Sequence, residues 1–307
     1  MSLLDLLRRP SRGRGIVLAL GGGGARGLAH LGVLAHLEED DLPVVAVAGT
    51  SAGALIGAMW LIHGSAGTLT RWREFLQSGL LPASLPDTRL TDEVSSRDNL
   101  LFQFARRLKT GATVALALNR RGLATAEELD RAIAFLVPDL LVEDLRLPFA
   151  AVATDFFTGQ PITLRRGPLR EVIAASSGVP GLVPPRLVGG RALIDGGVVE
   201  DVPVAAARAL ARGPVVAVDV GELPAPDDPG EITVPRAIMR ANIITHGALR
   251  EVQLAEADLV LRPGVGTLHW SEFARLDEAL AAGRAAAVAN RNRLRAAALR
   301  RRPRAGG

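Results

Sequence analysis

The stretch that most constrains this chain is Leu20–Gly27, Leu-Gly-Gly-Gly-Gly-Ala-Arg-Gly. The apolar run Gly15-Ile16-Val17-Leu18-Ala19-Leu20 before it has the length of a short buried strand. After it, Leu28-Ala29-His30-Leu31-Gly32-Val33-Leu34-Ala35-His36-Leu37 is apolar at helical spacing and ends in Glu38-Glu39-Asp40-Asp41. A strand therefore enters a turn of four consecutive glycines and leaves as a helix. Four residues without side chains are costly to order. In return, bare backbone N–H groups can turn toward negative charge, assisted by the positive end of the following helix.

A second strand–turn–helix unit follows at once. Leu42–Ala48 reads as a buried strand, Gly49-Thr50-Ser51-Ala52-Gly53 as the turn, and Ala54–Ile62 as a helix. The turn fits G-x-S-x-G between strand and helix, the setting a nucleophile elbow needs. Flanking glycines allow a strained turn that projects Ser51 into a cleft; the plainer alternative is a serine capping a helix. A serine hydroxyl needs a base. A histidine, a lysine or a carboxylate could serve: the only lysine, Lys109, lies in the expected cap, and Asp195 ends the strand Arg191–Ile194 and is followed by Gly196 and Gly197, a sequence that taken alone reads simply as a turn. Acyl transfer passes through an oxyanion that paired amides stabilise, and Gly22, Gly23 and Gly24 could supply them, with Arg26 anchoring the loop or adding positive potential. Gly22–Gly27 also fits the dinucleotide pattern G-x-G-x-x-G. That site wants an acid at the end of the second strand, and the acids at 38–41 precede the strand instead.

Along the rest of the chain, helices are expected near Thr68–Gln77, Leu100–Leu108, Val114–Leu118 and Ala126–Val137. Pro148–Phe156 and Ile162–Arg165 read as a hairpin. Pro168–Ala175 and Val204–Ala211 read as helices, Pro214–Val220 and Leu259–Leu261 as strands, and Ile232–Ala257 as a long helix. This alternation argues for an α/β fold with a largely parallel sheet. No repeat or linker divides the chain. We read 1–14 as an N-terminal extension, 15–278 as the catalytic domain with 79–125 as a cap, and 279–307 as a basic helix or tail.

Composition narrows the chemistry. With no cysteine, disulfides and thiolate metal sites are excluded, and the five histidines lack metal-ligand spacing, so neither metal nor cofactor is expected. The net charge of +4 is uneven: eight arginines and no acid follow Ala279, leaving residues 1–278 acidic. The tail is either a solvated terminal helix or an electrostatic anchor for an anionic membrane surface. It has no aromatic residue to stack on bases, so nucleic acid is not expected as a partner. The N-terminal apolar run is too short for a signal peptide, which leads to the expectation of a cytoplasmic protein, peripheral to the inner membrane if the tail is an anchor.

Gly21–Gly27, Gly49–Gly53 and Asp195–Gly197, in this order, resemble the oxyanion loop, nucleophile elbow and aspartate motif of the patatin-like phospholipase family. Ala153-Thr154-Asp155 with Thr158-Gly159, and Ala175–Gly181, are similar to further landmarks of that family. The resemblance implies a three-layer α/β/α sandwich and a serine acyl hydrolase acting on lipid or other acyl esters. It also implies a Ser–Asp dyad of Ser51 and Asp195, with the Gly22–Gly24 amides as oxyanion hole. Val199-Glu200-Asp201 departs from the family pattern, which often carries Asn or small polar residues there. Two other readings remain: an α/β-hydrolase triad of Ser51, Asp195 and His246 or His269, and a catalytically silent scaffold. The sequence does not specify the oligomeric state.

Overall fold

The computed structural model describes residues 15–81, 125–221, 232, 234–266 and 268–299. The extension 1–14, most of the expected cap and most of the loop 221–235 lie outside them.

The first strand, β1 (Ile16–Leu20), is the hinge of the architecture. It pairs in parallel with β2 (Val44–Thr50) on one edge and β7 (Val215–Val218) on the other. Its side chains alternate between two faces, as a strand's must. Ile16, Leu18 and Leu20 enter a large core shared with α1 (Ala29–Glu39), α2 (Ala52–Gln77), α3 (Ala126–Leu136), α4 (Leu169–Ser176) and α7 (Leu276–Ala289). Val17 and Ala19 enter a smaller core under α5 (Val204–Leu210) and Leu254, at the end of α6 (Val234–Leu254). The result is a three-layer α/β/α sandwich around an eight-stranded, mostly parallel sheet.

The sheet is mixed at one side. β3 (Phe149–Asp155) runs parallel to β2, but β4 (Pro161–Leu164) and β6 (Arg191–Asp195) are antiparallel to β3, and β5 (Arg186–Val188), which the sequence did not announce, is antiparallel to β6. β8 (Leu259–Leu261) closes the opposite edge, parallel to β7. β4 occupies one edge of β3 across Ala151–Thr154, so β2 and β6 share the other. On that shared edge Thr50 stands opposite Val152 and Asp195 opposite Ala153. Where β2 stops, the end of β6 takes over. This register brings the residue after Thr50 and the carboxylate of Asp195 together.

The helices expected at 54–62 and 68–77 are the two segments of α2, separated by a kink at Gly64 (φ 68°, ψ −178°). Glu38 braces the kink: its carboxylate accepts the Trp60 indole N–H at 2.7 Å and the Ser65 amide at 3.2 Å, capping the second segment where the first ends. The boundary drawn at 278/279 falls inside α7. That helix meets α1 backbone to backbone: a Cβ at Gly32 would lie 2.0 Å from the Leu280 carbonyl, and one at Gly283 1.9 Å from that of Ala29. Arg284 forks onto Glu39, while Arg291 and Arg295, on α8 (Arg291–Leu299), reach Asp40. Part of the basic C-terminus therefore neutralises the acidic end of α1, and Leu294 is fully buried.

Candidate active site

Leu20 pairs with Gly49, so the C-terminal ends of β1 and β2 are level, and the glycine turn and Ser51 emerge side by side. In open α/β sheets this is where ligands bind. Ser51 has φ 52° and ψ −121°, a left-handed conformation that L-residues avoid, immediately before α2. Close packing enforces the turn: a Cβ at Gly53 would stand 2.2 Å from the Leu20 carbonyl oxygen. Two fully buried hydroxyls hold the turn in place. Ser176 Oγ accepts the Ser51 amide at 2.9 Å while donating to the Val152 carbonyl at 2.6 Å. Thr50 Oγ1 donates to the Glu200 carbonyl at 2.9 Å.

Asp195 is fixed through its backbone and left reactive at its side chain. Its amide donates to Gly178 and its carbonyl accepts from Thr154 Oγ1, both at 2.9 Å. Oδ1 accepts the Gly197 amide at 2.8 Å; Oδ2 is buried and makes no bond of good geometry among the described residues. Burial pushes the carboxyl up to about 6, aided by the negative charge of Asp201 and opposed by hydrogen bonding from the Ser51 hydroxyl and the Gly197 amide. Gly196 is confined as well: a Cβ there would meet the Val152 carbonyl at 2.2 Å.

The glycine turn differs from expectation at one position. The Gly22 amide is turned inward and donates to the Asp201 carbonyl at 3.0 Å. The amides of Gly23 and Gly24 have no protein acceptor among the described residues, and both residues line the cavity beside Ser51. Gly24 has φ 57° and packs against Trp270, whose carbonyl accepts the Ala25 amide at 2.7 Å. Arg26 is buried, donates from its amide to the Gly23 carbonyl and also lines the cavity.

This cavity, of about 480 Å3, carries Ser51, Ala52, Asp195 and Gly197 in its lining together with Leu55, Ile56, Trp72, Phe75, Ile133 and Leu136. Polar chemistry thus meets a largely hydrocarbon chamber. Leu81 and Leu129 line it too.

Sequence reasoning missed the network that backs the glycine turn. Buried Arg250, on α6, lies 3.4 Å from Asp201 and 3.2 Å from Asp219, which also meets Arg262 at 3.3 Å. Burial raises the Asp201 carboxyl, and the Arg250 charge opposes that shift. The departure at Val199-Glu200-Asp201 therefore has a structural use: Asp201 pairs with Arg250, and Glu200 accepts the Ala206 amide in the first turn of α5. His30 was equally unannounced; its buried Nε2 lies 2.8 Å from the Gly21 carbonyl. A polar residue on an otherwise apolar helical face was the available signal. Of the two histidines considered for a triad, His246 lines the cavity but makes no hydrogen bond to Ser51 or Asp195 among the described residues. His269 hydrogen-bonds Ser271 Oγ in its own loop at 2.7 Å. Among the described residues no group of three metal-ligating side chains converges.

A family profile described as patatin-like phospholipase matches residues 18–208, from β1 into α5. The chain belongs to the patatin-like phospholipase family. An uncharacterised NTE family protein of Mycobacterium tuberculosis (strain ATCC 25618 / H37Rv) is 31% identical over 243 residues, covering 79% of this chain and 59% of the relative. Patatin-like phospholipase domain-containing protein 6 of Mus musculus is 34% identical over 218 residues, 70% of this chain and 14% of that protein. The chain thus spans about three-fifths of the mycobacterial relative and a small part of the mouse one. Among solved structures, VipD from Legionella pneumophila is similar with a TM-score of 0.45 at 18% identity, covering 94% of this chain and 67% of that one.

Proposed function

We propose that this patatin-like chain is a serine acyl hydrolase that cleaves lipid acyl esters through a dyad of Ser51 and Asp195. The observation that carries this reading is the meeting of a left-handed serine and a buried carboxylate, pushed up to about 6, at the wall of an apolar cavity. A carboxylate with that affinity for a proton can act as base near neutrality. In the first step Ser51 Oγ attacks the acyl carbonyl as its proton passes to Asp195, and the Gly23 and Gly24 amides receive the oxyanion. Collapse breaks the ester bond, and the leaving alkoxide takes the proton back from Asp195. Water, deprotonated by Asp195, then attacks the acyl-serine; the carboxylic acid leaves and the proton returns to Ser51. The apolar lining supports an acyl chain as the group held during both steps, and family membership supports a lipid as its source.

His246 lines the same cavity, which favours the Ser–Asp–His triad as the second reading. One experiment separates the two: hydrolysis of a soluble chromogenic ester and of mixed phospholipid vesicles by the wild type, Ser51→Ala, Asp195→Asn and His246→Ala. The dyad predicts loss in the first two variants and retention in the third. Collapse in His246→Ala transfers the base to histidine, and equal activity in wild type and Ser51→Ala ends both readings.

A further inference from the structure

We propose that His30 is a positioning residue for the oxyanion amides: it pins the carbonyl of the Gly21–Gly22 peptide while the Asp201 carbonyl pins the amide of the same peptide. The inference deepens the proposed hydrolase reading and rests on it.

The carbonyl of Gly21 and the N–H of Gly22 belong to one rigid trans unit and point in opposite directions. His30 Nε2 holds the first at 2.8 Å, and the Asp201 carbonyl holds the second at 3.0 Å. A plane gripped from both sides cannot rotate. The next two amides, Gly23 and Gly24, are those without a protein acceptor among the described residues, and both glycines line the cavity beside Ser51. Glycine backbone is the most permissive in the chain. Without such a grip, the turn could swing these amides out of line, and oxyanion donors contribute most when they are preorganised.

The chemistry of His30 suits the task. A carbonyl oxygen only accepts, so Nε2 must carry the hydrogen. The ring is fully buried and Nδ1 has no partner among the described residues, as a bare lone pair allows and an N–H would not. Burial lowers the imidazole to about 4, so one neutral tautomer persists throughout the working range. His30 sits in the first turn of α1, and that helix is locked to α7 at Gly32, two residues on. The donor is mounted on rigid structure, whereas the loop it steadies is not inherently rigid.

The test compares kcat and KM for a soluble chromogenic ester, and the rate of Ser51 labelling by a fluorophosphonate, in the wild type, Ser51→Ala, His30→Gln, His30→Asn and His30→Leu. Gln places an N–H near the position of Nε2, Asn is too short to reach Gly21, and Leu has no donor. The expected result is a fall in kcat of about 100-fold in the Leu and Asn variants, the scale of losing one oxyanion donor, with KM within a few-fold. Labelling should slow in parallel, and Gln should recover most of the rate. If His30→Leu does not fold, the Gln–Asn pair decides alone. Folded Leu and Asn variants with wild-type kcat, or a Gln variant no better than Asn, overturn the inference while Ser51-dependent turnover leaves the hydrolase reading intact. A wild type no more active than Ser51→Ala overturns both.

Discussion

The turn carrying Ser51 and the strand end carrying Asp195 lie one register step apart on β3, yet they are built in opposite ways. Ser51 owes its setting first to its neighbours: a strand, two glycines and a helix within a few residues shape the turn at φ 52°, which Leu20, Ser176 and Glu200 then hold in place. Asp195 has ordinary backbone geometry, with φ −49° and ψ 134°, and its unusual property comes from where a distant antiparallel strand delivers it. Strain is stored in the backbone at one residue and in the proton affinity of the side chain at the other. A strained turn can thus be outlined by local sequence, whereas a carboxyl with a raised pKa needs tertiary burial.

The comparison breaks most sharply in the rates. Asp195→Asn keeps the shape and removes the base, so kcat should fall by about 10²–10⁴-fold, the usual contribution of a general base. Steady-state hydrolysis of a soluble ester checks this, and a variant within a few-fold of wild type removes Asp195 from the chemistry.

Packing gives the next largest effect. Gly53→Ala inserts a methyl group against the Leu20 carbonyl and should cost about 1–3 kcal/mol or more of stability, measured by denaturant unfolding. Gly159→Ala, at a glycine with nothing within 4 Å of its would-be Cβ, carries only the strain of its positive φ and should cost less. Equal losses would mean that the elbow is not closely packed.

Proton linkage sharpens the Asp195 side. The folded carboxyl titrates near 6 against a reference of 3.8, so the native state keeps its proton to higher pH than the unfolded chain. Its contribution to stability is complete below about pH 4 and is lost as pH rises through 6. Asp195→Asn never ionises. It should therefore melt above the wild type at pH 7.5, with an advantage of up to about 3 kcal/mol that vanishes near pH 4. Thermal melts at the two pH values decide it, and a pH-independent difference contradicts the linkage.

The smallest effect belongs to the elbow. Ser51→Gly relieves a positive φ and should stabilise the inactive protein by about 1 kcal/mol. Ser51→Ala keeps the strain and should not. Chemical denaturation of the two variants side by side makes that comparison.

The same division explains what could be read from the sequence. The glycine turn, the G-x-S-x-G elbow, the Asp195-Gly196-Gly197 strand end and the alternation of strands and helices are local patterns, and each is present where expected. The cap of α3 is equally local: Thr125 and Glu128 form a reciprocal capping box. The placement of β6 beyond the end of β2, the inward turn of the Gly22 amide and the clamp of Trp270 on Gly24 depend on contacts between distant segments. No spacing encodes those. The basic C-terminus shows the same limit, because its excess charge is visible in the chain but the pairing of Arg284 with Glu39 and of Arg291 with Asp40 is visible only after α7 and α8 fold onto α1.

In the proposed dyad, Ser51 is activated by the Asp195 carboxylate and by no histidine. Its most direct test is the pH dependence of fluorophosphonate labelling at Ser51, read by intact-protein and peptide mass spectrometry in the wild type, Asp195→Asn and His246→Ala. With Asp195 as the base, the rate should rise with pH through a midpoint near 6, be lost in Asp195→Asn and be unchanged in His246→Ala. Labelling that survives in Asp195→Asn with the same midpoint, or that collapses in His246→Ala, would contradict it.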